Sequence, residues 1–161
     1  LLSDALPALL HEALNDFVLI DSLGVVPEQV ALRPFGGLTF RGLVLNDQID
    51  LTITGIDENY QNVFADDGDD TVSGNDQDNN IFAGLGADAI FGGAGDDIIA
   101  GDNLGDSVSG ADDSISGGAG DDQVDGGAGN DVILGEDGND LIIGGIGDDQ
   151  IFGGAGDDKL N

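Results

Sequence analysis

Nine aspartates recur at one fixed place of a short repeating pattern in the second part of the chain. Each is followed two residues later by an aliphatic residue, so carboxylate and apolar positions keep a constant spacing. Regularly spaced carboxylates suit two kinds of chemistry: cation binding through oxygen atoms, and acid–base catalysis by one differentiated pair. The nine candidate metal ligands are Asp70, Asp88, Asp97, Asp113, Asp122, Asp131, Asp140, Asp149 and Asp158.

The pattern is a repeat of nine residues, with glycine favoured at the first, second and fourth places. Blocks run without a break from Ala65 to Ala100 and again from Gly117 to Asn161. The sixth place is aspartate in every block except one, where it is Asn79, and the eighth place is always Val, Ile or Leu. A fixed period of this kind indicates stacked structural units.

Each block predicts one short strand and one tight turn. The eighth residue points inward and its neighbours point outward, while the glycines supply the positive φ angles that a tight turn requires. Eighteen residues then bring the chain once around, and residues eighteen apart stack about 4.8 Å from each other. The predicted fold class is all-β, a flattened right-handed coil of parallel strands with aliphatic ladders inside.

Stacking places carboxylates over one another, as for Asp70 over Asp88 and Asp122 over Asp140. Two carboxylates at that spacing repel each other by roughly 3 kcal/mol at an effective dielectric constant near 20. A divalent cation between them turns this repulsion into attraction. The remaining donors are carbonyl oxygens of the turns, and hard oxygen ligands in a flexible geometry suit Ca²⁺ better than Mg²⁺ or Zn²⁺.

Residues of about 65–161 resemble the repeats-in-toxin (RTX) family of nonapeptide repeats, written GGxGxDxUx, with GGAGDDIIA, GGAGDDQVD and GGAGDDKLN as close copies. The resemblance implies a parallel β-roll (β-solenoid) that holds several Ca²⁺ ions in the turns between successive coils. By the same resemblance, the sixth-place aspartates and turn carbonyls bind each ion. It also implies export by type I secretion machinery, a location outside the cell or at its surface, and flanking domains in the same parent chain.

Residues 101–116 break the period and allow two interpretations. They are either one block with a seven-residue insertion, in which Asp113 and Ile115 take the sixth and eighth places, or two blocks, the first with Asp106 at its sixth place. We favour the insertion, because two blocks would place Leu104 where the fourth glycine should be.

Some blocks depart from the pattern, and we expect them to bind calcium weakly or irregularly. Asn79 replaces an aspartate and Gln77 a glycine, while Ala65 and Asp66 stand where glycine is usual. We also expect residues 101–116 to interrupt the calcium ladder on at least one edge.

Residues 1–64 predict a small α+β cap on one end of the coil, or part of an upstream domain. Apolar residues from Leu6 to Val18 follow helical spacing, and Gly24 ends that pattern. Alternating residues around Thr39 and from Ile49 onward predict strands with one buried face. The predicted domain boundary therefore lies between residues 64 and 65.

Composition excludes several functions. The chain has 161 residues with 33 acidic and 3 basic side chains, a net charge of −30, so it repels nucleic acid and anionic membranes. It has no cysteine and one histidine, which excludes disulfides, thiol chemistry and multi-histidine metal sites. No apolar run approaches the roughly 18 residues of a membrane helix. Because the chain begins at Leu1 rather than Met, we interpret it as a fragment or processed form.

No catalytic constellation is found in the sequence. His11 and Glu12 begin a zinc-protease-like motif, but Asn15 stands where its second histidine would be. Acidic pairs such as Asp121–Asp122 recur with every turn, whereas a glycosidase needs one differentiated pair. We therefore expect the fifth-place acids to face solvent and the chain not to be an enzyme by itself.

The sequence predicts a calcium-binding module that folds when it meets calcium. One inward aliphatic side chain per strand gives a thin core, since its burial contributes only about 1.5–3 kcal/mol against backbone entropy of about 1–2 kcal/mol per residue. Ion binding must then supply folding free energy. The alternatives are a structural or adhesive surface protein and the C-terminal module of a secreted protease or lipase. Ninth-place side chains such as Phe64 and Phe82 should stack outside, where the N-terminal helix or a neighbouring domain could cover them.

Overall fold

A computed structural model describes residues 17–18, 38–41, 46–51, 60–102 and 110–161, which form fourteen strands and no helix within these ranges. Every strand pairs in parallel with its neighbours. The strands are β1 (Phe17–Val18), β2 (Leu38–Arg41), β3 (Gln48–Asp50), β4 (Tyr60–Asp67), β5 (Thr71–Ser73), β6 (Asn80–Leu85), β7 (Ala89–Ala94), β8 (Ile98–Ala100), β9 (Ser114–Ala119), β10 (Gln123–Ala128), β11 (Val132–Asp137), β12 (Leu141–Ile146), β13 (Gln150–Ala155) and β14 (Lys159–Leu160).

From β2 onward, successive strands alternate between two sheets. The eight-stranded sheet has the order β1-β2-β4-β6-β8-β10-β12-β14, and the six-stranded sheet has the order β13-β11-β9-β7-β5-β3. Regular neighbours are eighteen residues apart, as for Val124 beside Ile142 and Ile133 beside Ile151. The structure therefore confirms the predicted all-β fold, a parallel β-solenoid.

The core lies between the sheets and consists mainly of the eighth-place side chains, with Leu51 and the first-place Ala65 and Ala83 beside them. Strands alternate between buried and accessible residues, as in β3, where only the central Ile49 is buried. The apolar residues of this core are Ile49, Leu51, Val63, Ala65, Val72, Ile81, Ala83, Ile90, Ile99, Ile115, Val124, Ile133 and Ile142. Outside the coil, the rings of Phe64 and Phe82 stack at 4.9 Å as predicted. What covers them stays a prediction, since the predicted helix falls mostly outside the described residues.

Glycine occupies the turns for a steric reason. Gly120 has φ of +138°, and a Cβ atom there would lie 2.0 Å from the carbonyl oxygen of Gly95 in the preceding coil. Asp66 and Glu136, which replace second-place glycines, also have positive φ angles, of 73° and 78°. The turn thus imposes its conformation even on residues for which it is strained.

The irregular stretch is a single block with an insertion. Across it, the register step rises from 18 to 25 residues, since Val124 pairs with Ile99 and Ile115 pairs with Ile90. Among the described residues, no additional strand enters either sheet order between β8 and β9. The seven extra residues are 103–109, which lie outside the described residues together with Asp106 of the alternative interpretation.

The two sheets continue upstream of residue 65. Phe40 pairs with Val63, and Ile49 pairs with Val72, so the strands predicted in this region belong to the same coil. Phe17 and Val18, at the end of the predicted helix, form a strand instead, because they pair in parallel with β2. The rest of the predicted helix lies outside the described residues. Within the described part of the chain, no helix is long and apolar enough to cross a membrane.

Candidate metal centre

Sixth-place side chains form two columns, one along each edge of the coil. All nine predicted aspartates belong to them. The first column is Asp47, Asp70, Asp88, Asp113, Asp131 and Asp149, and the second is Asn79, Asp97, Asp122, Asp140 and Asp158.

Backbone hydrogen bonds link each column from coil to coil. The N–H of Asp70 donates to Oδ1 of Asp88 at 2.8 Å, and the N–H of Asp122 donates to Oδ1 of Asp140 at 2.9 Å. The bonds continue through the insertion, where Asp88 N–H donates to Oδ1 of Asp113 at 2.9 Å. The aspartate ladder itself is therefore continuous through residues 101–116, and an interruption of the calcium ladder there stays a prediction.

The second carboxylate oxygen of most column members is buried and has no hydrogen-bond partner. Burying such an atom without a partner is unfavourable, and more so when it is charged. At the last described coil Asp149 and Asp158 are only half-buried. The seven unpartnered atoms are Oδ2 of Asp70, Asp88, Asp97, Asp113, Asp122, Asp131 and Asp140.

Five of these oxygens face a small space beside the first-place glycine of their own block, namely Oδ2 of Asp97, Asp113, Asp122, Asp131 and Asp140. A Cβ atom added to Gly92 would lie 2.4 Å from Oδ2 of Asp97 and 2.4 Å from the carbonyl oxygen of Gly117 in the next coil. At Gly135 the corresponding distances, to Oδ2 of Asp140 and the carbonyl oxygen of Gly153, are 2.2 and 2.3 Å. A carboxylate oxygen and a carbonyl oxygen therefore border the same space.

This donor set fits a hard cation. Ca²⁺ binds carboxylate and carbonyl oxygens in flexible geometry, and both are present in every regular turn. Side chains alone do not form a site, because no group of three or more His, Cys, Asp or Glu residues suited to a metal occurs in the described ranges. Backbone carbonyl oxygens would have to complete the coordination.

Burial raises the pKa of the column aspartates. The pKa of Asp97 is raised to about 7 and that of Asp113 to about 8, chiefly by desolvation, because the opposing effect of a backbone N–H bond is outweighed by burial and by neighbouring carboxylates such as Asp122 beside Asp97. The pKa of Asp70 is raised to about 7, and those of Asp88 and Asp122 to about 6, chiefly by the same desolvation. Without a cation, the columns therefore resist full ionisation near neutral pH.

Blocks that depart from the repeat have different turns. Asn79 accepts the N–H of Asn75 through Oδ1 at 2.9 Å and donates from Nδ2 to Oδ1 of Asn75 at 3.2 Å, so its side chain offers a donor where aspartate offers an oxygen. In the blocks of Asp70 and Asp88, the first place is Ala65 or Ala83, whose fully buried methyl groups occupy space that glycine leaves open. Weaker binding in the turns of Asp70 and Asn79 stays a prediction, and Ala83 extends the same steric argument to the turn of Asp88.

Fifth-place side chains form a second, outer ladder that the sequence analysis did not predict. They are exposed, as expected, but Asp121 N–H donates to Oδ1 of Asp96 at 3.0 Å. Oδ1 of Asp121 in turn accepts the backbone N–H of Asn139 at 2.8 Å and its amide at 3.0 Å. These side chains thus hold adjacent turns together besides contributing charge.

Sequence reasoning also missed two buried aspartates, Asp47 and Asp102. Asp47 stands two residues before a core residue, Ile49, as in the repeat, but its block lacks most of the glycines. Asp102 stands at a second place, where glycine is usual, and its Oδ2 accepts the N–H of Ala128 at 2.6 Å. The only signal in the sequence was an acidic residue in a glycine place.

Comparison with protein families gives a match to the model described as RTX calcium-binding nonapeptide repeat (4 copies), over residues 64–99, 107–133 and 125–160. These matches cover more than half of the chain and contain every predicted ligand. No curated protein and no solved structure matches the chain. With a parallel coil, two aspartate columns and this match, the chain belongs to the family of RTX calcium-binding nonapeptide repeats.

Proposed function

We propose that this calcium-binding β-roll folds only when Ca²⁺ is supplied, and that it does so outside the cell. The observation that carries the proposal is the set of seven buried Oδ2 atoms without hydrogen-bond partners. In the regular turns such an atom lies beside a carbonyl oxygen of the next coil. Bound calcium would supply positive charge at these points and join successive coils.

The nine sixth-place aspartates are the proposed ligands, together with turn carbonyls. Binding should be strongest in turns that combine a first-place glycine with a sixth-place aspartate, as in Gly92 with Asp97 and Gly126 with Asp131. The turns of Asp70 and Asp88 should bind less tightly, because an alanine methyl group narrows them. The turn of Asn79 should bind least, because its amide donates a hydrogen bond into the turn.

Calcium-driven folding would suit export through a type I secretion channel. At low cytosolic calcium the repulsion within the columns would keep the chain largely unfolded, and higher calcium outside would fold it. Extracellular calcium modules have dissociation constants of about 10⁻⁴–10⁻³ M, and we expect this range here. We place the module in a larger secreted parent protein.

A second candidate is a structural or adhesive role at the cell surface. A long parallel coil with exposed apolar residues, among them Phe91 and Phe152 at 52% and 55% exposure, could space or present other domains. Calcium would then maintain the shape of the coil rather than time its folding. The two candidates differ in whether the metal-free chain is folded.

Calcium titration of the intact chain tests the proposal. Far-ultraviolet circular dichroism with a chelator should show little strand, and strand signal should appear as calcium is added to millimolar concentration. Magnesium at the same concentration and ionic strength is the control, and it should have a much smaller effect. Identical spectra with chelator and with calcium would refute calcium-driven folding, while calorimetric binding without a spectral change would favour the structural role.

A further inference from the structure

Asp102 is the last described residue before the seven-residue insertion. The backbone ladder is regular up to the residue before it, since Gly101 N–H donates to the carbonyl oxygen of Asp125 at 2.9 Å. The insertion, residues 103–109, begins directly after Asp102, and Gly110 resumes the turn. Asp102 is 4% exposed.

In a coil without the insertion, the third-place N–H donates to the second-place carbonyl oxygen of the preceding coil. Ala94 N–H donates in this way to the carbonyl oxygen of Asn75 at 2.9 Å, nineteen positions earlier. Ala128 is also a third-place residue. Because the insertion adds seven positions to the usual nineteen, the second-place residue of the preceding coil is Asp102, 26 positions earlier. Here, however, the acceptor is the side-chain atom Oδ2 of Asp102, at 2.6 Å.

Glycines on both sides make room for this carboxylate. A Cβ atom on Gly110 would lie 2.0 Å from Oδ2 of Asp102, and one on Gly127 would lie 2.5 Å from it. Both partners of the hydrogen bond are buried, with Ala128 6% exposed, so water cannot readily replace the acceptor. An ionised acceptor also makes a shorter and stronger bond than a neutral carbonyl group.

We propose that Asp102 is a positioning residue whose side chain replaces the main-chain carbonyl as acceptor and so carries the ladder across the insertion. Glycine, the usual second-place residue, has no side chain that could do this. The side chain of Asp102 should therefore matter for stability only when residues 103–109 are present. The inference concerns main-chain hydrogen bonding and does not rest on calcium driving the folding.

Three variants of the full chain test this role under whichever calcium condition folds the protein. Asp102→Ala removes the acceptor, Asp102→Asn removes the charge but keeps an acceptor oxygen, and deletion of residues 103–109 with Asp102→Gly restores an uninterrupted repeat. The readout is hydrogen exchange of the Ala128 amide, measured by nuclear magnetic resonance. We expect Asp102→Ala to speed this exchange about ten-fold or more, Asp102→Asn to change it much less, and the deletion variant to keep it slow.

A double-mutant cycle of stability measurements distinguishes coupling between Asp102 and the insertion from a general loss of folding. Asp102→Gly should lower the urea midpoint clearly in the full-length chain and little in the deletion background. Equal losses in both backgrounds would overturn the proposal, as would unchanged Ala128 exchange in Asp102→Ala. If Asp102→Asn and Asp102→Ala lowered calcium affinity alike while Ala128 stayed protected, Asp102 would act through its charge, which would also overturn it.

Discussion

At the scale of the residue, the two oxygens of a column aspartate have different tasks. In Asp131, for example, Oδ1 accepts the N–H of Asp113 at 2.9 Å and so connects two coils. Oδ2 of the same residue is buried without a hydrogen-bond partner. Asparagine can reproduce the first contact but not the charge of the second oxygen, and this difference makes the two tasks separable by substitution.

Asp131→Asn should lower calcium affinity while leaving the backbone contact possible. We expect the calcium midpoint of folding to rise about ten-fold or less, since one of several coupled ions is weakened. Asp125→Asn is the matched control, because it removes the same charge from an exposed residue on the outer face of β10. Calcium titration followed by circular dichroism measures both. Equal midpoint shifts in the two variants would mean that only net charge matters.

Asn79→Asp should make the second column more dependent on calcium. The substitution removes the Nδ2 donor that contacts Asn75 and adds a carboxylate next to that of Asp97. Stability in chelator should fall, and the stabilisation gained on adding calcium should increase. Asn80→Asp adds a charge one residue further on and serves as the control. Circular dichroism in chelator and urea unfolding at two calcium concentrations, both high enough to fold the chain, measure the change, and a similar response of both variants would contradict the prediction.

At the scale of the element, each strand of the repeat buries one aliphatic residue between two outward neighbours. In β11, Ile133 is fully buried, whereas the next residue, Leu134, is 36% exposed. The ladder of such residues is continuous through both sheets, so each core side chain packs against equivalents from the coils before and after it. A single substitution should therefore weaken three coils at once.

Ile133→Ala should destabilise the calcium-loaded protein by about 2–5 kcal/mol, the usual range for removing a buried aliphatic side chain. Leu134→Ala removes a side chain of equal size from the outer face and should cost less than about 1 kcal/mol. Urea unfolding in calcium-containing buffer measures both. If the two variants lost similar stability, the eighth-place ladder would not be the core on which the coil depends.

Much of this element pattern is visible in the sequence, because position in the repeat decides burial. The place of Ile133 in the core and of Asp131 in a column follows from the period alone. Asp47 was missed because its block lacks most of the glycines that mark the repeat. The strand at Phe17 was predicted as helix, because its pairing with β2 is a long-range contact that local periodicity does not contain. The role of Asp102 could not be predicted, because it depends on where the insertion begins within residues 101–116. The spacing of the repeat does not show which of these residues are inserted.

At the scale of the whole molecule, the net charge is −30, and about half of the 33 acidic residues lie in the two columns and at the fifth places of the repeat. In a metal-free coil, the raised pKa values of the column aspartates favour retention of protons, which lowers this charge. Desolvation raises the pKa of Asp97 to about 7 and of Asp113 to about 8, whereas an aspartate in an unfolded chain titrates near 3.8. The folded coil thus holds protons that the unfolded chain has released, so its stability decreases as pH rises through this window.

Metal-free and calcium-loaded protein should therefore respond to pH in opposite directions. Without calcium, stability should be fully present below pH 3.8 and fall as pH rises through about 6 to 8, where the raised column groups ionise. With calcium, protons compete with the ion for the same oxygens, so the stabilisation gained on adding calcium should increase over that range. Circular dichroism in chelator and urea unfolding in calcium between about pH 5.5 and 8, at constant ionic strength, follow the range in which the column groups ionise. A metal-free stability that stayed level or rose over that interval would show that the columns do not retain protons, and the charge would then have to be balanced in another way.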